Sequence, residues 1–306
     1  MTTTQAAPRP AGTPTPTEPA VRIRGLLKRY AGRAVVDGLD LDVHRGEVFA
    51  LLGPNGAGKT TTIEILEGIR KRDGGDVRVL GEDPARAGRD WRARIGVVSQ
   101  TEGRAQELSV REVLDHFAVY HATPRPTAEL VAAVGLGEKI GTRVGRLSGG
   151  QRRRLAVALG VQGRPELVFL DEPTTGMDPV ARRQFWELIR GLRADGTTVL
   201  LTTHYLDEAA ELADRVGVVA EGRLVEVAPP GELGAAIRRQ ATVHWLEDGV
   251  PRQVRTESPA SVLRDLLAVA GDVPGLTATR PSLEDVYLEL VGAHTTVPGQ
   301  TEGDPR

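Results

Sequence analysis

Gly53-Pro54-Asn55-Gly56-Ala57-Gly58-Lys59-Thr60 decides the reading of this chain. It is a full Gly-x4-Gly-Lys-Thr phosphate loop, set between the apolar run Val48–Leu52 and a segment with Ile63, Leu66 and Ile69 at helical spacing. That order of strand, loop and helix is what the chemistry needs. Glycines let successive backbone N–H groups curl around the β- and γ-phosphates of a nucleotide, and the helix N-terminus adds a partial positive charge. Lys59 is expected to neutralise phosphate oxygens from an exposed cleft, and the Thr60 hydroxyl to ligate Mg²⁺. A functionless Gly-rich turn could match the bare pattern, since Gly fills 36 of 306 positions. Its placement between strand and helix argues against that.

A phosphate loop needs a second acidic group for the metal, on a neighbouring strand. Leu167-Val168-Phe169-Leu170-Asp171-Glu172 is an apolar run ending in two carboxylates. Asp171 would hold Mg²⁺ through water, and Glu172 would activate the attacking water. Taken alone, the segment also reads as a buried strand with acids at its exposed end. Beside the phosphate loop, the catalytic reading is the stronger.

Leu147-Ser148-Gly149-Gly150-Gln151 opens a helix ahead of that strand. Ser148 and the two glycines offer a hydroxyl and unobstructed N–H groups at a helix start, a second anion-binding geometry. One nucleotide does not need two such pockets from the same subunit. The economical arrangement is two copies face to face, each lending this segment to its neighbour's ATP.

With these segments in place the chain resembles the ATP-binding cassette (ABC) family over about residues 21–225, and Leu147–Gln151 is identical to the family's signature sequence. The resemblance implies an α/β fold, a P-loop NTPase of ABC type with a helical insert, here followed by a small C-terminal α+β appendage. It implies ATP and Mg²⁺ as cofactors and carries roles onto matching positions. Tyr30 would stack on adenine. Gly53, Pro54, Asn55, Gly56, Ala57, Gly58, Lys59, Thr60 and Thr61 would hold the nucleotide. Gln100, after Ile95-Gly96-Val97-Val98-Ser99, would meet Mg²⁺ and sense the membrane domain. Ser148, Gly149, Gly150 and Gln151 would complete the partner's site, Asp178 would lie in the inter-subunit loop, and His204 would reach the γ-phosphate. Lys59, Glu172 and His204 form the implied catalytic set, with Thr60, Gln100 and Asp171 around the metal. Plainer readings exist for single positions. A strand Tyr is usually packing, a lone His after a strand is usually structural, and Asp178 before Pro179 is also a helix N-cap. Arg152-Arg153-Arg154 reads as a solvated or inter-subunit helix face.

Composition narrows the class. Formal charge is −2, from 39 basic and 41 acidic residues, so no global field favours nucleic acid, and no nucleic-acid partner is expected. The absence of cysteine excludes disulfides and thiolate chemistry. No apolar run approaches the ~18–20 residues that cross a bilayer. The first twenty residues, rich in Thr, Pro and Ala, lack the features of a signal peptide.

Strand-length apolar runs are predicted at Val21–Tyr30, Val35–Val43, Glu47–Leu52, Asp76–Leu80, Arg94–Ser99, Leu167–Leu170, Thr197–Leu201 and Arg215–Ala220. Alternation with helical periodicity predicts a partly parallel sheet. A helical insert is expected at about 101–147, with a capping box at Ser109 and Glu112. After Pro229-Pro230 the strands Ala241–Leu246 and Val250–Thr256 flank an Asp248-Gly249 hairpin turn, and Ser258 and Ser282 each begin a helix. The expected division is a disordered tail at 1–20, the ATPase domain at 21–228, a small domain at 231–292 and a second tail at 293–306.

The stretch from Lys59 to Asp171 carries no sustained heptads, unlike repair-type cassettes, and the chain has one cassette where translation-type members have two. A stand-alone transport subunit remains, at the cytoplasmic face of the membrane. Pro281-Ser282-Leu283-Glu284-Asp285-Val286-Tyr287-Leu288-Glu289-Leu290 and Thr174-Thr175-Gly176-Met177-Asp178-Pro179 are similar to segments of the bacterial drug-resistance, daunorubicin-exporter-like subgroup. That resemblance implies a homodimeric ATPase powering efflux of drugs or other hydrophobic compounds through a separate ABC permease. A soluble cassette ATPase acting on ribosomes or nucleic acid is the rival, separable by a neighbouring permease gene. A nucleotide-binding module without turnover is disfavoured by the presence of Glu172 and His204.

Overall fold

Residues 18–98, 106–270 and 273–293 are described in the computed structural model. The first half contains β1 (Val21–Tyr30), β2 (Arg33–Val43), β3 (Val48–Leu52), α1 (Lys59–Leu66), β4 (Gly74–Val79), α2 (Arg89–Ala93) and β5 (Ile95–Val98). Helices α3 (Val110–Ala118), α4 (Thr127–Ala133) and α5 (Gly149–Val161) follow, then β6 (Leu167–Asp171), α6 (Pro179–Ala194), β7 (Thr198–Thr203), α7 (Leu206–Leu212), β8 (Arg215–Ala220) and β9 (Arg223–Ala228). The C-terminal segment adds α8 (Ala235–Arg239), β10 (Ala241–Glu247), β11 (Val250–Thr256), α9 (Pro259–Ala270), β12 (Thr277–Thr279) and α10 (Leu283–Gly292).

Strands β3, β6 and β7 are apolar without alternation because both faces are covered. They belong to a six-stranded sheet of order β5-β6-β7-β3-β8-β9, parallel except for the antiparallel β8–β9 pair at its edge. Successive side chains sort to opposite faces. Val48, Ala50, Leu52, Val168, Leu170, Val199 and Leu201 join one core with residues of α3, α4, α5, α6 and α7. Phe49, Leu51, Leu167, Phe169 and Leu200 join the other, with α1 and a separate antiparallel sheet of order β2-β1-β4. The central sheet therefore lies between a helical layer and a second sheet. The sequence pattern predicted most of these strands but not the partition into two sheets. It also missed β9, β12, α2 and α8.

The capping box expected at Ser109 and Glu112 is present, with Ser109 Oγ accepting from Glu112 N at 3.2 Å and Glu112 Oε2 accepting from Ser109 N at 2.7 Å, while the expected start of the insert at about 101 lies outside the described residues. In the C-terminal segment β10 and β11 pair across Asp248-Gly249, and β12 adds to the other side of β10. Helix α10 reaches back to the cassette. Its Val286 is fully buried, and Leu283, Tyr287, Leu290 and Val291 pack against the helical-layer core. At the other end of the chain Ala20 is buried and its carbonyl accepts from Leu80 N. Among the described residues no helix is long and apolar enough to cross a membrane.

One backbone contact sets how deeply α5, the helix of the signature segment, sits on the sheet. A Cβ at Gly96 of β5 would lie 2.2 Å from the Gly160 carbonyl oxygen, and a Cβ at Gly160 would lie 2.6 Å from Val98 Cγ2. Gly96→Ala should therefore push helix and strand apart and lower stability by about 2–3 kcal/mol, read from urea unfolding. A loss below about 0.5 kcal/mol would show that the helix is not held this closely.

Candidate functional site

Strands β6, β7 and β3 are neighbours, and the parallel register sets Asp171 opposite Thr202 and Leu52 opposite Thr203. The loops leaving their carboxyl ends must converge, which is where open parallel sheets carry their sites. The sequence segments picked out by their chemistry are those loops.

The phosphate loop is tightly wedged. Gly58 caps α1 with φ 97°, and a Cβ there would meet the Val35 carbonyl oxygen at 2.5 Å. A Cβ at Gly53 would meet the Val219 carbonyl oxygen at 2.4 Å. Only glycine fits at both positions, so the loop is clamped between β2 and the end of β8 while Pro54, Asn55 and Gly56 stay exposed.

Lys59 corrects an expectation. It does not stand in an exposed cleft; it is 4% exposed. An ammonium on a concave loop of carbonyls folds back on them, donating to Gly53 O at 2.8 Å and Pro54 O at 3.2 Å, with Glu172 Oε1 at 3.7 Å. Burial lowers its pKa, opposed by the carboxylates of Glu172 and Asp171.

Asp171 is buried at the tip of β6. Thr202 Oγ1 donates to its Oδ1 at 2.5 Å, and Thr60 Oγ1 donates to its Oδ2 at 3.2 Å. Thr202 also accepts from the Glu172 N–H at 3.0 Å, fixing the turn between the two acids. Glu172 itself takes φ 45°, a left-handed conformation costing an L residue on the order of 1–2 kcal/mol. In that conformation its Oε1 lies 3.3 Å from His204 Nδ1, although the alignment is not that of a hydrogen bond. Thr175 Oγ1 donates to Oε2 at 3.4 Å. The Thr60 hydroxyl and Asp171 carboxylate set two hard oxygen donors side by side, 3.2 Å apart, a donor pair whose chemistry fits Mg²⁺ held directly by one and through water by the other.

Tyr30 is 39% exposed, with Lys28 Nζ and Arg70 Cζ each 5.4 Å from its ring centroid, so an aromatic face with cationic neighbours lies at the surface. Ser148 caps α5: its Oγ accepts from Gln151 N at 3.2 Å and its N–H donates to Gln151 Oε1 at 3.0 Å. The Ser-x-x-Gln spacing could have signalled this capping box. Among the described residues no hydrogen bond joins this turn to the phosphate loop of the same chain. Asp178 caps α6, accepting from Val180 and Ala181 N at 2.9 and 2.8 Å, as its place before Pro179 predicted. Gln100 lies outside the described residues. Thr61 follows Thr60 in the first turn of α1.

Two features were missed. The Thr202 hydroxyl organises both acids, and its trace is a pair of hydroxyl residues closing the apolar run before His204. The arginine run is not a solvated face. Arg152 donates to Leu147 O, Arg153 to Asp171 O and Pro173 O, and Arg154 to Val134 O, Gly135 O and Gln184. Arg153 ties the signature helix to the turn that carries the two acids.

Comparison with known proteins supplies the family. The family described as ABC transporter matches residues 36–175. The chain is 38% identical to the daunorubicin/doxorubicin resistance ATP-binding protein DrrA of Streptomyces peucetius, covering 89% of this chain and 92% of the relative. It is 39% identical to a fluoroquinolones export ATP-binding protein of Mycobacterium tuberculosis (90% and 94% covered) and 45% identical to a Nod factor export ATP-binding protein I of Burkholderia pseudomallei (87% and 94%). Among solved structures, the ATP-binding subunit of an ABC transporter superposes with a TM-score of 0.66 at 22% identity, over 89% of this chain and 99% of that one. The chain belongs to the ATP-binding subunits of ABC transporters. It binds ATP and is an ATPase of that family, and two of these relatives, matched over 94% of their length, are named as export ATP-binding proteins.

Beneath the site, Glu67 follows α1 and is 7% exposed. Burial first, then the charges of Asp171 and Glu64, raise its pKa to about 8. A carboxyl whose pKa is raised by folding stabilises the native state below its unfolded pKa, and that contribution is lost as pH climbs towards 8. Glu67→Gln should therefore gain on the order of 3 kcal/mol over wild type at pH 8.5 and lose that advantage near pH 5. Urea unfolding at the two pH values measures it, and a pH-independent difference would contradict the buried-acid account.

Proposed function

We propose that this ATPase powers efflux of a drug-like or other hydrophobic compound through a separate ABC permease, working as a homodimer at the cytoplasmic membrane face. The observation that carries the catalytic part is the meeting of Lys59, Thr60, Asp171, Glu172 and His204 at adjacent strand ends. One relative is named for daunorubicin/doxorubicin resistance and two for export, of fluoroquinolones and of Nod factor, which supports export as the direction of transport.

In this reading Lys59 leaves the Gly53 and Pro54 carbonyls for the β- and γ-phosphate oxygens, joined by the N–H groups of Gly53, Asn55, Gly56, Ala57 and Gly58 and by Thr61, with Pro54 shaping the loop, while Tyr30 stacks on the adenine. Thr60, Asp171 and Gln100 would hold Mg²⁺, whose charge offsets that of the phosphate oxygens. Glu172 takes a proton from water as its oxygen attacks the γ-phosphorus in line, and the bond to the ADP oxygen breaks. His204 steadies the γ-phosphate. Ser148, Gly149, Gly150 and Gln151 would serve the opposite protomer's ATP. The N–H groups of the first turn of α5 are suited to it, since the capping box leaves the Ser148 hydroxyl hydrogen free to donate. Asp178 would lie along the same seam. The ATPase domain would span 21–228, with the segment 231–292 supporting the dimer or permease coupling; the tails expected at the two ends fall mainly outside the described residues, and Ala20 is packed into the cassette.

The test is Glu172→Gln in the purified chain. Turnover should fall at least about 100-fold with ATP affinity within about threefold, because shape and phosphate contacts persist. With Mg·ATP the variant should elute as a dimer, and with ADP as a monomer. Wild-type turnover would remove Glu172 from the role of base, and an inactive variant that stays monomeric would rule out the sandwich for the isolated subunit.

A further inference from the structure

Glu208 is the most deeply buried acid outside the site, 1% exposed on the short helix α7 that follows His204. Its surroundings come from both halves of the catalytic machinery. Thr203, immediately before His204, and Thr174, two residues after Glu172, face its carboxylate, as do Trp186 and Arg182 of α6. Arg182 also stacks on the Tyr205 ring at 4.8 Å. Thr203 Oγ1 accepts from Tyr205 N at 2.9 Å, which leaves the hydroxyl hydrogen for another acceptor.

These groups are gathered but not engaged. Neither Glu208 oxygen meets hydrogen-bond geometry among the described residues, and the same holds for Thr174 Oγ1, which is fully buried, Trp186 Nε1 and Arg182 Nε. His204 Nδ1, beside Glu172, is likewise unaligned. Buried donors and acceptors left apart are costly, and here the donors belong to the Thr174 turn, the β7 tip and α6, while the acceptor belongs to α7. Alignment of these groups would bring Glu172 and His204 together, because Thr174 lies two residues after the one and Thr203 immediately before the other.

We propose that Glu208 is a positioning residue that latches the turn bearing Glu172 to the strand end bearing His204, so that base and histidine reach the γ-phosphate as a unit. Thr174 and Thr203 donate to one carboxylate, and Trp186 with Arg182 anchors that latch to α6, the helix capped by Asp178. Asp178 therefore shares a rigid element with the latch, and a movement of the inter-subunit loop is passed to both catalytic side chains.

The proposal rests on the roles given above to Glu172 and His204. It is tested by steady-state ATPase kinetics and ATP affinity of the full chain carrying Glu208→Ala, Glu208→Gln, Thr174→Val or Glu208→Ala with Thr174→Val, with Glu172→Gln as control. Glu208→Ala should lower kcat at least about tenfold with KM within about twofold, Glu208→Gln should recover to within about threefold of wild type because its carbonyl still accepts, and Thr174→Val should lower kcat about three- to tenfold. The double variant should be no slower than Glu208→Ala alone. Wild-type kcat in Glu208→Ala, a loss of ATP affinity parallel to the loss of kcat, or fully multiplicative effects in the double variant would each overturn it. Should Glu208→Ala not fold, wild-type kcat in Thr174→Val overturns it and a slowed kcat with unchanged KM supports it. A Glu172→Gln variant with normal turnover would instead discredit the catalytic reading beneath it, and an inactive one beside a normal Glu208→Ala would discredit the latch alone.

Discussion

An ammonium that is 4% exposed has to be surrounded by oxygen, and this constraint on Lys59 organises the site. Two loop carbonyls and Glu172 meet it here. The same loop is held from outside by backbone carbonyls of Val35 and Val219, which leave no room for a side chain at Gly58 or Gly53. A concave, cation-bearing loop that cannot relax outward is pre-organised for an anionic group of phosphate shape. Its charge is already compensated by the carboxylate that the chemistry requires to be free.

The rest follows from strand order. Because β3 lies between β7 and β8, and β6 lies beyond β7, three consecutive carboxyl ends deliver a lysine, two acids and a histidine to one edge. Thr202 makes that delivery exact in register: one hydroxyl binds Asp171 and receives the Glu172 N–H. The turn it stabilises holds Glu172 at φ 45°, a strained conformation that aims the carboxylate at His204 and Lys59 instead of along the strand. On the opposite flank Arg153 joins α5 to the same turn through Asp171 O and Pro173 O, so the signature helix is hydrogen-bonded directly to the backbone that carries the acids.

Legibility in the sequence divides along physical lines. Local patterns were readable. The phosphate loop, the acid pair after an apolar run, the capping boxes at Ser109 and Ser282, the Asp178-Pro179 helix start and the Asp248-Gly249 hairpin all appear where short-range chemistry places them. Long-range consequences were not. Nothing local says that Lys59 will be buried against its own loop, because that depends on carbonyls the fold turns inward. The arginine run looked solvated because its acceptors, such as Val134 O and Asp171 O, are backbone atoms distant in sequence. Glu208 carries no local signal, and only the packing of α7 on β3, α6 and β7 buries it.

The central claim is that ATP brings the phosphate loop of one copy against the Ser148-Gly149-Gly150 turn of another. The chain contains no cysteine, so single cysteines can be placed without background. Asn55 and Gly149 are exposed, and a Cβ at Gly149 meets nothing within 4 Å. Chains carrying Asn55→Cys and Glu172→Gln would be mixed with chains carrying Gly149→Cys and Glu172→Gln, then treated with a short bis-maleimide. The account predicts a cross-linked pair with Mg·ATP, little with ADP, and a different yield pattern when either chain is treated alone, since the reagent then has no cysteine at the facing position. Equal cross-linking with ATP and ADP, or none with either while ATP is bound, would contradict it.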